Sequence, residues 1–208
     1  MVGYIAFVAA VVACSISVPQ FLLVVRTKST HGLSLTAWVI SLGTGIGWLG
    51  HGFKLGEINL IWPNFWILSV VGTILYFLRR NGHYRSLAAL LPGLGLAILL
   101  VGLDNFVSSA AFGLLVMIPQ AYGMIKQGIE LMRAPQVTGV STGAWVLQVV
   151  NQLLWLVWAV LAHEPGTTIS AAVCLGPAIY VLVWCILRAR GVGPVLADAP
   201  PKDLEHID

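Results

Sequence analysis

The chain has 208 residues, of which 58% are apolar and 9% charged, with 11 basic against 8 acidic side chains and a formal net charge of +3. A soluble domain carries about a quarter charged residues, and one with a mean hydropathy of +0.90 would expose large apolar patches and aggregate. The composition excludes disorder, a charge-driven nucleic-acid binder and a disulfide-stapled secreted module, and it points to an integral membrane protein.

A helix that crosses the hydrocarbon needs roughly 20 mainly apolar residues. Cutting the chain at its charges and turn residues predicts seven spans: 3–25, 34–53, 58–78, 86–102, 106–125, 142–162 and 167–187. Span 1 has no basic leader, and a second span follows within ten residues, so it reads as a retained helix rather than a signal peptide. Span 2 carries Gly43, Gly45, Gly47, Gly50 and Gly52, which suit close helix packing. Span 4 is the shortest and follows the densest basic loop, Arg79, Arg80 and Arg85. Cys14, Cys174 and Cys185 lie in apolar runs and form no CxxC pair. Beyond span 7, residues 189–208, with Pro200-Pro201 and mixed charges, read as a disordered cytoplasmic tail. The connections after spans 1, 3, 5 and 7 and the tail hold ten Lys and Arg; the opposite side holds one, Lys54. Positive charge stays inside, which puts the N-terminus outside, the C-terminus in the cytoplasm, and makes the number of spans odd.

A repeat runs through this pattern. Val18-Pro19-Gln20 recurs as Ile118-Pro119-Gln120, and Gly32-Leu33-Ser34-Leu35-Thr36-Ala37-Trp38 recurs as Gly139-Val140-Ser141-Thr142-Gly143-Ala144-Trp145. Trp48-Leu49 then matches Trp155-Leu156, and Glu57 matches Glu164. The offset grows from 100 to 107, so the second copy carries a seven-residue insertion in its 126–141 loop. A third pair, Pro135-Gln136, lies only ten residues before Trp145, against nineteen from Pro19 to Trp38, and belongs to neither repeat. The division is residues 1–80 for the first three-helix repeat, 81–105 for a linker with the fourth helix, and 106–188 for the second repeat. Three spans plus one linker is an even number, so both copies enter the membrane in the same sense. Parallel repeats of this kind are used by transporters that hold a site at the repeat interface.

With these motifs in place, the chain resembles the PQ-loop superfamily. Its 3+1+3 layout is similar to the SWEET sugar transporters, and its first repeat resembles the bacterial SemiSWEETs, over roughly residues 4–188. The resemblance implies an all-α, seven-helix membrane protein that passes mono- or disaccharides downhill by alternating access, in a bacterial plasma membrane. It implies a sugar and the lipid bilayer as partners, and neither a cofactor nor nucleic acid. Two fused repeats can complete a pathway, so an oligomer is possible but not required. By the same resemblance, Trp48 and Asn64 match a substrate-binding Trp and Asn. Pro19-Gln20 and Pro119-Gln120 match motifs that help rock the helix bundles. A proline inside a helix removes one backbone hydrogen bond and crowds the preceding turn, so each pair marks either a hinge or a static kink.

Depth supports the pairing of Trp48 with Asn64. Trp48 lies five residues before the outer end of span 2 and Asn64 six after the outer start of span 3, both roughly 8–9 Å below the boundary at 1.5 Å per residue. Indoles and amides suit a neutral, hydroxyl-rich solute, since an amide both donates and accepts. The other roles open to them are an interhelical hydrogen bond for Asn64 and a place in the interfacial belt for Trp48. In the second repeat Trp155 matches Trp48, but Ala171 stands where Asn64 would recur. Asn151, four residues before Trp155 and on the same helix face, either replaces that amide or bonds between helices.

None of the proposed spans contains Asp, Glu, Lys or Arg, and His51, near the outer boundary, reads as a solvated or belt residue. Proton-coupled carriers relay protons through intramembrane acids or histidines, so the pattern favours a uniporter. Span 7 has no lysine for a retinal Schiff base, and no intramembrane Asp pair or Ser–His constellation calls for an enzyme or a metal. The alternatives are a PQ-loop carrier of amino acids or another small metabolite, and a non-transporting receptor or sorting protein.

Overall fold

The computed structural model describes residues 2–30, 33–133 and 141–195. The tail beyond 195, Pro135-Gln136, and Gly32, Gly139 and Val140 of the repeated motif lie outside the described residues. Among the described residues there are seven α-helices and no strand: α1 (Val2–Thr27), α2 (Leu35–Leu55), α3 (Ile58–Arg80), α4 (Leu91–Phe106), α5 (Ser109–Arg133), α6 (Thr142–Leu161) and α7 (Pro165–Ala189). A 3-10 turn, Leu87–Leu90, leads into α4. Five of these segments are long and apolar enough to cross a membrane: α1, α3, α6, α7, and α4 with its preceding turn. The chain is therefore a multi-pass helical membrane protein. Helices α2 and α5 match the others in length but carry Thr44, His51 and Lys54, and Gln120, Lys126 and Glu130, which lower their hydropathy.

In the first half α3 packs on both α1 and α2; in the second, α7 packs on both α5 and α6. The halves meet where α1 packs on α6 and where α4 sits against both α2 and α5. Each half is held by its own apolar core. Val24, Val70, Ile74 and Leu78 form one, and Met117, Met124, Cys174 and Val181 the other. A third cluster, Ala6, Leu60, Trp158 and Ala159, joins the halves. Ile98 on α4, Tyr4 on α1 and Leu114 on α5 stay exposed, the arrangement expected where lipid replaces water.

Helix ends are built alike in the two halves, at positions 107 residues apart. Ser34 accepts from the Ala37 N–H at 3.3 Å to start α2, and Ser141 accepts from the Ala144 N–H at 3.3 Å to start α6. Glu57 caps α3 by accepting from the Asn59 N–H at 3.2 Å, and Glu164 caps α7 by accepting from the Gly166 N–H at 2.8 Å. A carboxylate there satisfies orphan N–H groups and meets the positive end of the helix dipole. The turn before each cap is also shared. The Glu57 N–H bonds Gly52 O at 3.0 Å around a left-handed Gly56, and the Glu164 N–H bonds Ala159 O at 2.9 Å around a left-handed His163.

Glycines set the closest approaches. A Cβ on Gly43 of α2 would fall 2.5 Å from the carbonyl oxygen of Gly93 on α4, and one on Gly93 would fall 2.4 Å from Val39 O. Backbones can come this near only where the side chain is hydrogen.

Three boundaries differ from the sequence expectation. Helix α5 runs to Arg133 instead of ending near 125, with Lys126 and Glu130 paired across one exposed turn at 3.8 Å. Much of the second repeat's insertion is therefore helix, and Pro119 lies 14 residues from its helix end where Pro19 lies 8 from its own. Helix α4 runs through Asp104 to Phe106, and Lys54 falls inside α2. The expectation of charge-free helices is overturned: polar groups at helix ends are here buried against one another rather than left in water.

Candidate functional site

A cavity of about 730 Å³ lies between the halves, walled by α1, α2, α3, α5, α6 and α7. Trp48, Asn64, Asn151, Trp155, Pro119 and Gln120 all line it, while Pro19 and Gln20 do not; Ala13 and Ile16 form the share of α1. Along α2 the lining begins at Ser34, Thr36 and Ala37 and ends at Trp48, a run of roughly 20 Å at 1.5 Å per residue. Thr36, Ala37 and Lys126 at one end are exposed, and His51, one turn past Trp48, is fully buried. The cavity is open at the end where α2 starts and closed beyond Trp48.

The walls combine flat apolar faces with amides and hydroxyls. Trp48 is held edge-on to Phe112, with ring centroids 5.0 Å apart at 83°, and Trp155 edge-on to Trp158 at 5.5 Å and 87°. Such packing fixes an indole without consuming the face it presents. The Asn64 amide donates to Leu60 O at 2.7 Å, and its remaining capacity is free for a solute. Asn151 Oδ1 and Thr167 Oγ1 are buried and have no hydrogen-bond partner among the described residues. A buried polar atom left unpaired is unfavourable by about 1–3 kcal/mol, so these two atoms are suited to a ligand's hydroxyls. Ala171, standing where the second asparagine would recur, also lines the cavity and is buried.

Sequence reasoning missed Gln148, Gln152, Thr167 and Ser170, all in the lining. A signal was present for the glutamines: Gln148, Asn151, Gln152 and Trp155 recur at intervals of three and four residues, a polar stripe on one face of an otherwise apolar helix. It missed the closed end altogether. His51 is neither solvated nor in the belt; it is 0% exposed, because three helices and a cap converge on it. Its Nδ1 lies 2.9 Å from Asp104 Oδ2 on α4, and its Nε2 lies 3.4 Å from Glu164 Oε1 at the start of α7, without hydrogen-bond alignment. Phe112 of α5 stacks on its ring, with centroids 4.6 Å apart. Asp104 also accepts from Lys54 Nζ at 2.9 Å and from Ser109 Oγ at 3.0 Å, and Lys54 Nζ reaches the Asp104 carbonyl oxygen as well. The one basic residue on the charge-poor side is thus neutralised by a buried acid. Burial pushes the Glu164 carboxyl up, but the His51 ring and Thr167, both beside it, outweigh it and hold the group down to about 2.

Fold and site together define a multi-pass helical membrane protein with a polar-lined cavity between two three-helix groups, open at one end. Comparison with protein-family models and with curated protein sequences finds no match.

Proposed function

We propose that the protein is a seven-span, passive, bidirectional uniporter of mono- or disaccharides, working by alternating access between two parallel PQ-loop repeats of the SWEET type. The observation that carries this reading is the cavity itself. It holds Trp48 and Trp155, the amides of Asn64, Asn151, Gln148 and Gln152, no acidic side chain, and an opening at one end alone. Indole faces stack on the C–H surface of a sugar ring, and amides and hydroxyls satisfy its alcohol groups; the one charged side chain of the lining, Lys126, stands at the open end and is exposed. The charge asymmetry of the loops puts the open end in the cytoplasm, so the conformation reads as inward-open. A bacterial plasma membrane, with the N-terminus outside, completes the reading.

In operation, the solute enters between the halves, and α1–α3 with α4 rock against α5–α7 until the cytoplasmic end closes and the outer end opens. Pro19 and Pro119, inside α1 and α5, interrupt the backbone ladders and supply the hinges.

The test is uptake of labelled glucose or sucrose by proteoliposomes with no ion gradient. Uptake that equilibrates and exchanges in both directions supports the reading; a flat response to every sugar in a panel overturns it. A second reading, a proton-linked carrier of amino acids or another small metabolite, is favoured by the buried His51, Asp104 and Glu164, which remove the argument from charge-free helices. Accumulation above equilibrium under an imposed pH gradient would select it.

A further inference from the structure

We infer that the His51 cluster is a proton-binding site that holds the outer end of the pathway shut, so that acid closes the protein on that side. The inference rests on the transporter reading and adds control of the outer gate to it.

The cluster sits in the right place. The cavity ends at Trp48, and the next turn of α2 carries His51, fully buried. Of its contacts, Asp104 belongs to α4, packed on α2, whereas Glu164 begins α7 and Phe112 lies on α5, both in the other half. The approach of His51 Nε2 to Glu164 Oε1, 3.4 Å, is therefore a polar tie across the line along which the halves must part. Any opening there exposes both groups to water.

The charges give the tie its sign. Asp104 and Glu164 are two buried carboxylates, and Lys54 supplies one positive charge. With a neutral ring the cluster carries a net −1; one added proton brings it to zero. A neutral imidazole has one N–H, and the imidazolium has two, so only the protonated ring presents an N–H to both Asp104 and Glu164 at once. The closed arrangement binds the proton more tightly than an open one in which water solvates both acids, and by linkage the proton favours closure. The other elements around the ring do not supply a rival switch. From α5 come Phe112 and the Ser109 hydroxyl; Glu57 at the start of α3 is engaged with Asn59 at 2.9 Å; and His163, next to Glu164 in the chain, is exposed. The cluster lies outside the cavity lining, so the proton gates the path without riding with the solute.

The decisive measurement reads the gate directly and does not depend on the solute. Spin labels at Phe53→Cys and Ala162→Cys, both exposed at the outer end of the helices, are placed in a background with Cys14, Cys174 and Cys185 replaced by serine. Distances are recorded in lipid nanodiscs between pH 5 and 8. A short-distance population dominates at pH 5, and a longer one grows on the order of tenfold toward pH 8, the effect of one charge-assisted hydrogen bond. His51→Gln abolishes that response. Glu164→Gln, which keeps a capping oxygen and leaves the cluster neutral without the proton, abolishes it too, and His163→Asn preserves it. Distances that ignore pH, or a response that survives both His51→Gln and Glu164→Gln, overturn the inference. In proteoliposomes at equal pH on both sides, glucose flux falls by a similar factor from pH 8 to pH 5; a rise on acidification overturns the inference equally. Absence of flux for every sugar counts against the sugar reading alone, since the distance measurement still decides the gate.

Discussion

Gly56 and His163 occupy the same left-handed turn, 107 residues apart, at φ 64° and 53°. In each half this residue ends the second helix and lets the following glutamate cap the third. Glycine takes that conformation freely, while a side chain is strained by roughly 1–2 kcal/mol. His163→Gly is expected to raise stability by about 0.5–1 kcal/mol, the gain being trimmed by the greater freedom of glycine in the unfolded chain. Gly56→Ala is expected to lower it by about 1 kcal/mol. Thermal melting in one detergent measures both, and a destabilised His163→Gly would show that the imidazole has a role beyond the turn.

Gly43 and Gly93 keep α2 and α4 in backbone contact, each with a neighbouring carbonyl oxygen within 2.5 Å of where a Cβ would stand. Gly43→Ala must separate the helices and is expected to lower stability by about 1–3 kcal/mol. Gly72→Ala is the control: a Cβ on that glycine meets nothing within 4 Å, and a helix-interior alanine is expected to gain a few tenths of a kcal/mol to about 1 kcal/mol. The pair of melting shifts should have opposite signs.

Trp48 and Asn64 face the cavity from neighbouring helices of one half. Trp48→Ala and Asn64→Ala are each expected to reduce sugar flux by at least about tenfold while the protein still inserts and elutes as a single species. Flux through either variant at the parent rate would move these residues from recognition to packing.

Thr167 offers a cleaner separation of binding from stability. Its hydroxyl oxygen is buried without a partner among the described residues, so Thr167→Val is expected to leave stability unchanged or raise it by up to about 1 kcal/mol. Sugar affinity is expected to fall about fivefold to tenfold, because a hydroxyl that met the solute is gone. Tryptophan-fluorescence titration with glucose and sucrose reads the affinity, and a drop in stability with unaltered binding would contradict the assignment.

Glu164 makes stability depend on pH in a defined window. Its carboxyl is held down from an ordinary 4.5 to about 2 in the folded protein. A depressed carboxylate contributes stability that is fully present above the unfolded value and lost as pH falls through the folded one. Melting temperature should therefore drop between about pH 4.5 and pH 2, and Glu164→Gln should flatten that part of the curve. An unchanged slope in the variant would assign acid loss to another group.

Most of the helical order was legible because it is local. Runs of apolar residues between charges gave α1, α3, α6 and α7 nearly in full, and the repeated Ser34/Ser141 and Glu57/Glu164 fell on equivalent caps. Charge was a poorer guide to helix ends. An isolated charge is strongly disfavoured in hydrocarbon, so the sequence pattern leaves Asp104 and Lys54 in loops, yet they lie inside α4 and α2 as a pair. Pairing depends on which helices meet, and Lys54 and Asp104 are 50 residues apart.

By itself the sequence determined that this is a helical membrane protein, where most of its helices run to within about a turn or two, and that motifs of the first half recur in the second. Hydropathy and capping act over a few residues and can be read in order along the chain. Only the tertiary structure decided that Trp48, Asn64, Asn151 and Trp155 line one cavity, and that His51 closes one end of it between Asp104 and Glu164. Whether a polar residue is solvated, paired or left waiting for a ligand is set by neighbours from distant helices, and no local pattern records them.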